Sequence, residues 1–526
     1  MLERRLRLLL VLPEAEAGYA LVRHHAPDGR VCWLRFRQPR EVLSTLAARE
    51  LPALLHRVEE ACRHGMAAVG FLTYEAAPAF DSALATHPPG PLPLAWFAVY
   101  QSAGEEVDLQ PGVEEGSPEH TPLAWHPSLS REAYTGAIAR IKDYIAAGHT
   151  YQVNYTLRLR SRLSGDPRPL FRRLLHTNQA RYGAYIDTGQ HVICSASPEL
   201  FFYLHGCQVV CRPMKGTAPR GVNTHTDRTQ AAWLRQSEKN QAENVMIVDM
   251  VRNDLGRIAR SGTVSVTSLF DVERYDTLFQ MTSTVQAHTD APFPDVLAAL
   301  FPCASITGAP KVRTMQIIRE LEPDPRGIYC GAIGVLLPGR HAQFNVAIRT
   351  VHFDRHTRQA TYGTGGGIVW DSATTQEYDE WRTKARVLCE ALPSFRLLET
   401  MRWHPGEGYF LLERHLERLA DSAAYFGYSV RLEQVLHALR QAAAAYPPAP
   451  QRVRLLVDRR GDVAIEAQPL TSVAQPWRVA LAQRPVDPGN RFLYHKTTHR
   501  AVYEAARNAN PGYDDVILWN QRGEIT

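Results

Sequence analysis

The sequence predicts a mixed α/β (α+β) protein, and three observations lead to this fold class. Strand-like segments such as 151–160 and 331–339 are interspersed with helical segments such as 236–256. The 526 residues suffice for two or three domains, each with its own buried core. The hydrophobic content of 45% and the charged content of 21% are those of a soluble globular protein.

The elements of the first domain follow in order. Residues 105–130 are acidic and rich in proline and glycine, which indicates an exposed connection. The next segment predicts a helix, because Ser130 is a suitable N-cap, isoleucines recur at helical spacing, and Gly148 can end the helix. Helices are also predicted at 236–256 and 374–391, and strands at 151–160, 181–187, 191–195, 200–206, 262–270, 331–339 and 342–353.

A second domain is predicted after Pro393. There a strand (395–404) and then a helix from about Leu411 start a new series of elements. We therefore divide the chain into a first domain of residues 1–395 and a second domain of residues 398–526.

Composition and charge exclude several classes of protein. The net charge of +5 is small for this length and no basic run marks a nucleic-acid-binding arm, so no polyanionic partner is indicated. No apolar run reaches the length of a membrane-spanning helix. The arginine-interrupted N-terminus is predicted to begin a strand rather than to act as a signal peptide. The eight cysteines form no C-x-x-C pair, which favours a reduced, cytoplasmic enzyme.

The segment CRPMKGTAPRG at 211–221 places one lysine among prolines and glycines. Because these residues disfavour helix and regular strand, we predict a turn that Pro213 and Pro219 fix and Gly216 opens. Lys215 lies at its centre. Taken alone, such a lysine is most often a solvated surface residue.

Carboxylates on two predicted helices offer a second candidate site. The helix around Val245–Val251 is apolar nearly all round and is predicted to be buried, so Glu243 on it needs a cation or donors. Glu377, Glu380 and Lys384 fall on one face of the other helix, where an i,i+4 pair is more often a solvated salt bridge. Alternatively, Glu243 and Glu380 share Mg²⁺, which prefers hard oxygen ligands. The spacing leaves both interpretations open.

Two glycine-containing segments are candidates for binding an anion. The run Tyr362–Val369 is not a dinucleotide motif, because the last glycine of G-x-G-x-x-G is missing and a strand-like segment follows. It is either a flexible turn or a row of backbone N–H groups that an anion can approach. The segment Ser305–Lys311 precedes a helix whose N-terminus either binds an anion or is simply capped, with Pro310 suited to its first turn.

Together these segments resemble the chorismate-utilising enzymes over nearly all of residues 1–395. Each motif is weak alone, but the ordered set is specific, and it is most similar to the branch that makes 4-amino-4-deoxychorismate for folate synthesis. The resemblance rests on Ser197–Glu199, Lys215–Thr217, Pro219–Gly221, Ala242–Asn244, Ile247–Asp249, Arg252–Arg257, Thr307–Lys311, Ile348–Thr350, Gly365–Val369, Asp371–Ser372, Glu377–Glu380 and Lys384–Ala385.

The resemblance implies a fold and a set of ligands. It implies two stacked sheets with surrounding helices that enclose the site, and Mg²⁺ held by Glu243 and Glu380 with Glu377 close by. A dianionic substrate needs a bidentate arginine, a cation and open backbone donors. The residues implied to bind chorismate are Thr217, Arg349, Gly365, Gly366, Gly367 and Lys384.

Two positions separate the reactions of this family. Members that add water resemble one another in carrying a lysine where this chain has Gln152, and glutamine cannot deprotonate water. Members that make anthranilate usually have a small residue in place of Lys215, whereas the amine-transferring synthases use that lysine as nucleophile. The resemblance thus implies that Glu199 and Lys215 are catalytic, as general acid and nucleophile. Anthranilate synthesis and a catalytically silent chorismate-binding subunit are the alternatives.

Two features concern the supply of ammonia and protons. Gln280 stands where the family often has a histidine. A histidine could assist proton transfer at that position, whereas glutamine can only form hydrogen bonds. The 526 residues contain no Gly-x-Cys-x-Gly nucleophile elbow. Ammonia is therefore expected from a separate glutamine amidotransferase subunit or from solution.

Residues 398–526 resemble the start of a fold-type IV pyridoxal-phosphate enzyme, in particular the aminodeoxychorismate lyases that release pyruvate to give 4-aminobenzoate. Lys496 would form the Schiff base and Arg418 would bind the phosphate. The acid expected to pair the pyridinium nitrogen would follow Thr526, so we expect an incomplete domain, with pyridoxal phosphate bound only by a complete one. The resemblance rests on Leu398–Arg402, Arg414–Leu419, Ser422–Ala423 and His495–Arg500.

Overall fold

The structure is a computed structural model that describes residues 16–109, 123–178, 180–385, 388, 393–471 and 476–526. The chain divides into two compact units. The N-terminal unit comprises Met1–Thr217 and Leu234–Leu392, and the C-terminal unit comprises Ala218–Trp233 and Pro393–Thr526. The strand predicted at the extreme N-terminus and most of the predicted connection lie outside the described residues.

The helices include none, within the described ranges, that is long and apolar enough to cross a bilayer. The α-helices are α1 (Leu51–Arg63), α2 (Arg131–Ala146), α3 (Arg168–Asn178), α4 (Thr224–Gln236), α5 (Glu238–Gly256), α6 (Phe293–Leu300), α7 (Lys311–Leu321), α8 (Thr374–Ala385), α9 (Leu412–Phe426), α10 (Leu432–Ala444) and α11 (Ala501–Asn508). Short 3-10 helices span Ala48–Glu50, Tyr74–Ala79, Ala304–Ile306 and Arg491–Leu493.

The strands of the N-terminal unit are β1 (Tyr19–His25), β2 (Val31–Phe36), β3 (Glu41–Thr45), β4 (Ala67–Leu72), β5 (Ala95–Tyr100), β6 (Glu105–Val107), β7 (His126–Pro127), β8 (Gln152–Arg162), β9 (Tyr182–Asp187), β10 (His191–Ser197), β11 (Leu200–His205), β12 (Gln208–Arg212), β13 (Met214–Pro219), β14 (Ser265–Arg274), β15 (Leu278–His288), β16 (Gly308–Ala309), β17 (Ala332–Leu337), β18 (His341–Val346), β19 (Thr350–Asp354) and β20 (Gln359–Ile368). Those of the C-terminal unit are β21 (Leu397–His404), β22 (Gly408–Tyr409), β23 (Gln451–Val457), β24 (Val463–Pro469), β25 (Val479–Leu481) and β26 (Asp515–Ile517).

Two ten-stranded sheets form the N-terminal unit. Sheet A has the order β16-β8-β20-β19-β10-β9-β1-β2-β6, with β7 paired to β8. Sheet B has the order β13-β15-β12-β11-β18-β17-β4-β5-β3, with β14 paired to β15. Strands that are neighbours in each order are often distant in sequence, so the sheets depend on non-local pairing.

The two sheets stack face to face, and the alternation of side chains along each strand explains how. In β5, Trp96, Ala98 and Tyr100 pack into an apolar cluster that both sheets share. Phe97 and Val99 point to the opposite face, where α1, α5 and α6 cover sheet B. Sheet A is covered in the same way by α2, α3, α7 and α8. The predicted mixed fold with two stacked sheets and surrounding helices is thus confirmed.

Local predictions hold best where capping residues are present. The helix predicted after the acidic connection is α2, and Ser130 caps it by accepting a hydrogen bond from the Ala133 N–H at 3.2 Å. Gly148 follows with φ of 73°. The strand predicted at 342–353 is instead two strands, because the chain breaks at Arg349, which has φ of 49°. Residues 105–107 of the predicted connection form the edge strand β6.

The segment 211–221 is not the predicted turn. Strand β12 runs to Arg212 and β13 begins at Met214, so the chain stays extended through the segment. The neighbouring strand β15 supports it, because the Ser283 N–H donates to the Pro213 carbonyl at 3.2 Å. Gly216 permits the local bend with φ of 94°. Lys215 therefore lies on a strand at the edge of sheet B.

The glycine run is a strand rather than a flexible turn. All of β20 pairs with β8, residue by residue, from Gln359 opposite Arg162 to Ile368 opposite Val153. On its other side β20 pairs with β19 only as far as Tyr362. The glycines beyond Tyr362 therefore have a sheet neighbour on one side, and on the other side their backbone groups face away from the ladder.

The C-terminal unit contains a four-stranded sheet of order β22-β21-β23-β24, which packs against α9 and α10, and a parallel β25–β26 pair. The segment Ala218–Trp233 belongs to this unit, which the sequence did not predict. Arg220 holds it in place by pairing with Asp227 at 2.6 Å and donating to the Tyr425 carbonyl at 2.8 Å. The Tyr425 hydroxyl donates to the Gly221 carbonyl at 2.6 Å.

Buried histidines should make the N-terminal unit sensitive to acid. His24 is 5% exposed, and burial, with His341 next, lowers its pKa to about 4. As pH falls below 6.5, His24 becomes protonated in the unfolded chain but stays neutral in the folded chain until about pH 4. The free energy of unfolding therefore decreases as pH falls below 6.5. Between pH 7 and 5, the His24→Phe variant should lose about 2 kcal/mol less unfolding free energy than the parent. Urea titrations at both pH values measure this difference.

The control is the same substitution at the exposed His56 on α1. His56→Phe should follow the parent protein at both pH values. If the free energy of unfolding depended equally on pH in the parent and in His24→Phe, the pKa of His24 would not be lowered in the folded state.

Candidate active site

The ladder between β8 and β20 brings two predicted site residues together. Gln152 begins β8, and Gly367 lies near the end of β20, opposite Asn154. A Cβ added to Gly367 would lie 2.5 Å from the Gln152 Nε2 and 3.1 Å from the Lys215 Nζ. The lysine of sheet B thus reaches the glycine strand of sheet A, and this junction is the candidate site.

Glu199 is the buried acid of the site. It is 3% exposed, and its Oε1 accepts hydrogen bonds from the Ser305 hydroxyl at 2.6 Å and from the Met214 N–H at 3.4 Å. Burial raises the pKa of Glu199 to about 7, although Ser305, Lys215 and Met214 each favour the charged form. Near neutral pH a large fraction of Glu199 therefore carries a proton that it can donate.

The surroundings of Lys215 lower its pKa and so favour the neutral amine over the ammonium. Burial lowers the pKa of Lys215, and Lys384 lowers it further, while Glu243 is the main opposing charge and Glu199 and Glu380 add to it. A lowered pKa increases the share of the deprotonated amine, which is the nucleophilic form.

Helix α8 presents one ion pair and one further carboxylate at this junction. The Lys384 Nζ lies 2.7 Å from the Glu380 Oε1 and donates to the Gly365 carbonyl at 2.9 Å. Burial favours the neutral form of Glu380, but Lys384 together with Lys215 and Lys239 outweighs burial, so the pKa of Glu380 is lowered overall. Glu377 accepts a hydrogen bond from the Ser372 hydroxyl at 2.6 Å, and burial raises its pKa. The predicted i,i+4 pair exists and lies within the site.

The carboxylates suit a hard divalent cation that is completed by a substrate. Glu243 lies on α5, which is half-buried rather than buried all round, because Val245 is 39% exposed and Asp249 faces solvent. Burial raises the pKa of Glu243, and Glu380 contributes to that rise. In the part of the chain that the structure describes, no group of three His, Cys, Asp or Glu side chains could hold a metal by itself. Mg²⁺ usually needs only one or two protein carboxylates, so the donors fit it.

Two elements offer donors to an anion. Because the Gly365 carbonyl accepts from Lys384, it points away from β8, and in an antiparallel strand its N–H points the same way. Gly367, two residues on, shares this orientation. Arg349 lies with its guanidinium 5.9 Å from the Tyr275 ring centre, and burial lowers its pKa. The Arg349 guanidinium and these N–H groups are of the kinds that bind a carboxylate.

Thr217, which the resemblance implies as a substrate ligand, uses its hydroxyl differently. It is exposed, and its hydroxyl donates to the Gln280 Oε1 at 3.2 Å. The Gln280 Nε2 in turn donates to the Gly216 carbonyl at 2.8 Å. The side chain of Gln280 is therefore bound to the two residues that follow Lys215.

Sequence reasoning missed the hydrogen bond from Ser305 to Glu199, and it missed that the amide of Gln152 lacks hydrogen-bond partners. Ser305 was recognised only as part of a helix-preceding motif, and its bond to Glu199 spans 106 residues. Gln152 is 1% exposed, and within the described residues neither of its amide atoms has a hydrogen-bond partner. A buried amide without a partner is costly, and here it faces the position where Lys215 would act.

Gly367→Ala should damage activity far more than folding. A methyl group there would collide with the Gln152 amide and crowd the Lys215 amine. At Gly366 the same change would meet the ends of flexible side chains, those of Glu377, Glu380 and Lys384 at 3.2, 3.6 and 3.9 Å. We expect kcat/KM with chorismate to fall about 10²-fold for Gly367→Ala. The decrease for Gly366→Ala should be smaller.

The control for this comparison is Gly136→Ala on α2, where an added Cβ meets nothing within 4 Å. Alanine favours the helix there, so its activity and thermal midpoint should equal or exceed those of the parent. Equal kcat/KM for Gly367→Ala and Gly136→Ala would contradict the placement of Lys215 beside the glycine strand.

The C-terminal unit has its own cluster of charges. Glu399 is 1% exposed and accepts hydrogen bonds from His415 at 2.7 Å and from two nitrogens of Arg418 at 2.8 and 2.5 Å. Burial lowers the pKa of Lys496, as a Schiff-base amine requires, while Glu399 opposes this. The guanidinium expected to hold a phosphate is bound to Glu399 instead. The described residues therefore fit pyridoxal phosphate incompletely.

Comparisons with known proteins agree with this architecture. Residues 23–390 match the family described as chorismate binding enzyme, and residues 396–526 match amino-transferase class IV. The proteins named aminodeoxychorismate synthase component 1 of Bacillus subtilis and Escherichia coli are each 39% identical to this chain, over 266 and 270 residues. These alignments cover 50% and 51% of this chain, and 56% and 59% of the relatives. The chain thus spans a little over half the length of these relatives.

Anthranilate synthases are also similar. The protein named anthranilate synthase component 1 of Streptomyces coelicolor is 35% identical over 373 residues, 62% of this chain and 72% of that protein. The crystal structure of anthranilate synthase component I from Streptococcus pneumoniae superposes with a TM-score of 0.57 at 24% identity, covering 74% of this chain and 95% of that one. That likeness shows the fold alone. The chain belongs to the chorismate-binding enzyme family, and it carries a class IV aminotransferase domain after residue 395.

Proposed function

We propose that this protein converts chorismate and ammonia into 4-amino-4-deoxychorismate, in a Mg²⁺-dependent reaction that serves 4-aminobenzoate and folate synthesis. The observation that carries the proposal is the nearness of Glu199 to the segment of Lys215, because the N–H of Met214, the residue before the lysine, donates to the Glu199 Oε1. The pKa of Glu199 is raised to about 7 by burial, which favours the proton-carrying acid, and the pKa of Lys215 is lowered by burial, which favours the neutral amine. A reaction that expels a hydroxyl and forms a carbon–nitrogen bond needs this combination.

In the first half of the proposed reaction, the neutral Lys215 amine attacks C2 of chorismate. The Nζ–C2 bond forms, the ring double bonds shift, and the C4–O bond breaks. Glu199 donates its proton to the departing hydroxyl, which leaves as water. The result is a secondary ammonium between Lys215 and the ring, with Glu199 as carboxylate.

In the second half, ammonia attacks C4 and the double bonds shift back. The C2–Nζ bond breaks and Lys215 leaves as a neutral amine, while Glu199 regains a proton from the ammonium formed at C4. The net change is chorismate plus ammonia to aminodeoxychorismate plus water. Gln152 has an unpartnered amide beside Lys215 and no basic group, which fits ammonia rather than an activated water as the second nucleophile.

The remaining site residues bind and orient the substrate in this proposal. Glu243 and Glu380, with Glu377 close by, would hold Mg²⁺, which supplies positive charge for the substrate carboxylates when bound. Arg349, Lys384 and the N–H groups of Gly365 and Gly367 would complete the anion site. Ammonia would come from a glutamine amidotransferase partner, which the word "component" in the relatives' names supports.

Anthranilate synthesis is the second candidate, because relatives with that name reach 41% identity over 267 residues. A single assay separates the two: purified protein with chorismate, Mg²⁺ and ammonium, with the products resolved by chromatography. We expect aminodeoxychorismate, and chelation of Mg²⁺ should abolish its formation. Anthranilate with pyruvate would support the second candidate, and unchanged chorismate would refute both.

A further inference from the structure

We infer that Gln280 is a positioning residue that holds Lys215 in its reactive orientation. The inference rests on the proposed function, in which Lys215 is the nucleophile. Gln280 lies on β15, directly beside the strand that carries the lysine. Its amide bridges two successive residues, donating to the Gly216 carbonyl at 2.8 Å and accepting from the Thr217 hydroxyl at 3.2 Å.

The backbone at this point needs such a support. Gly216 has φ of 94°, and glycine moves between conformations more freely than other residues. A change at Gly216 would uncouple Lys215 from the strand that follows it. The Gln280 bridge spans this flexible point, because it is bonded to Gly216 itself and to the next side chain.

The opposite side of Lys215 is anchored to the acid. The Met214 N–H, one residue before the lysine, donates to the Glu199 Oε1 at 3.4 Å. The Lys215 carbonyl accepts from the Asn244 amide at 3.4 Å, a longer contact than the 2.8 Å bond from Gln280. Lys215 is thus held between its acid partner on one side and Gln280 on the other.

The amide of Gln280 can orient its neighbours by hydrogen bonds, but it cannot take part in proton transfer. An amide neither gains nor loses a proton near neutral pH, so Gln280 cannot shuttle protons. It can present a donor and an acceptor side by side, which is what the Gly216 carbonyl and the Thr217 hydroxyl require. Its contribution is therefore to geometry, and misplacement of a reacting group by about 1 Å can reduce rates on the order of 10²-fold.

The test compares Gln280→Met with Gln286→Met, in the amination assay with chorismate, Mg²⁺ and ammonium. Gln286 is a matched control on the same strand, where it accepts a hydrogen bond from Gln208 at 3.0 Å. Gln280→Met should lower kcat about 10- to 100-fold, with KM for chorismate within about threefold and the pH–rate limbs unmoved. Gln286→Met should stay within about twofold. Unchanged kcat, or a shifted pH limb, in Gln280→Met would overturn the inference.

Thr217→Val measured alone covers the case in which Gln280→Met folds poorly, and combined with Gln280→Met it completes a double-mutant cycle. Thr217→Val removes one of the two bonds, so it should lower kcat less than Gln280→Met does. The double variant should be no slower than Gln280→Met, because the two changes break one bridge. Additive losses, or a raised KM in Thr217→Val, would instead assign Thr217 to the substrate and refute the bridge. Lys215→Ala is measured alongside: if it stays active, the proposed function fails, whereas an inactive Lys215→Ala with normal Gln280→Met refutes only this inference.

Discussion

Lys215→Ala should abolish the conversion of chorismate and ammonium, with kcat lower on the order of 10⁴-fold. The substitution removes the only atom that forms the proposed bond to C2, whereas Glu199 and the carboxylates remain. Chorismate should still bind, because the anion-binding groups are unchanged, and its Kd by calorimetry should stay within about threefold. Intact-mass analysis after rapid quenching should detect a ring adduct on the parent protein and none on the variant.

The small number of lysines in the chain allows the adduct to be assigned to one residue. The sequence contains only six lysines, so peptide mapping can locate an adduct among Lys142, Lys215, Lys239, Lys311, Lys384 and Lys496. Lys142→Arg is the control, because Lys142 donates to the Ser372 carbonyl and has no role in bond formation. An adduct that persists in Lys215→Ala would disprove the covalent mechanism.

The structural features that could be predicted from the sequence are those formed by residues close together along the chain. The cap of α2 and the Glu380–Lys384 pair join residues three or four apart, and both exist in the structure. The mixed fold followed from periodicity, because alternation and helical spacing are also local. The ordered motifs identified Glu199 and Lys215 as residues typical of the family. They did not show that the N–H of Met214, the residue before Lys215, donates to Glu199.

The errors arise where a distant strand decides the conformation. Residues 211–221 contain prolines and glycines that favour a turn, yet β15 lies some 65 residues later and keeps them extended. The glycine run is a strand for the same reason, because β8 pairs with all of it. Ser305 and Gln152 likewise acquire their surroundings only after the sheets form. Tertiary pairing overrides local propensity at the positions that build the site.

Glu199→Gln should be the second most damaging change, and it tests proton donation apart from shape. Glutamine has the same length, and its Oε1 can still accept from the Ser305 hydroxyl and the Met214 N–H. It cannot give a proton to the departing hydroxyl. We expect kcat to fall about 10²- to 10⁴-fold with little change in KM.

The parent and Glu199→Gln should differ in how their rates depend on pH. The pKa of Glu199 is raised to about 7 by burial, so the parent loses its general acid, and therefore rate, as pH rises through about 7. Glu199→Gln should lack this alkaline limb. Glu75 is the matched control: it is also buried with a pKa of about 7, but it binds the backbone N–H groups of Arg326 and Gly327. Glu75→Gln should keep both kcat per folded molecule and the limb. If Glu199→Gln also kept the limb, another group would be the proton donor.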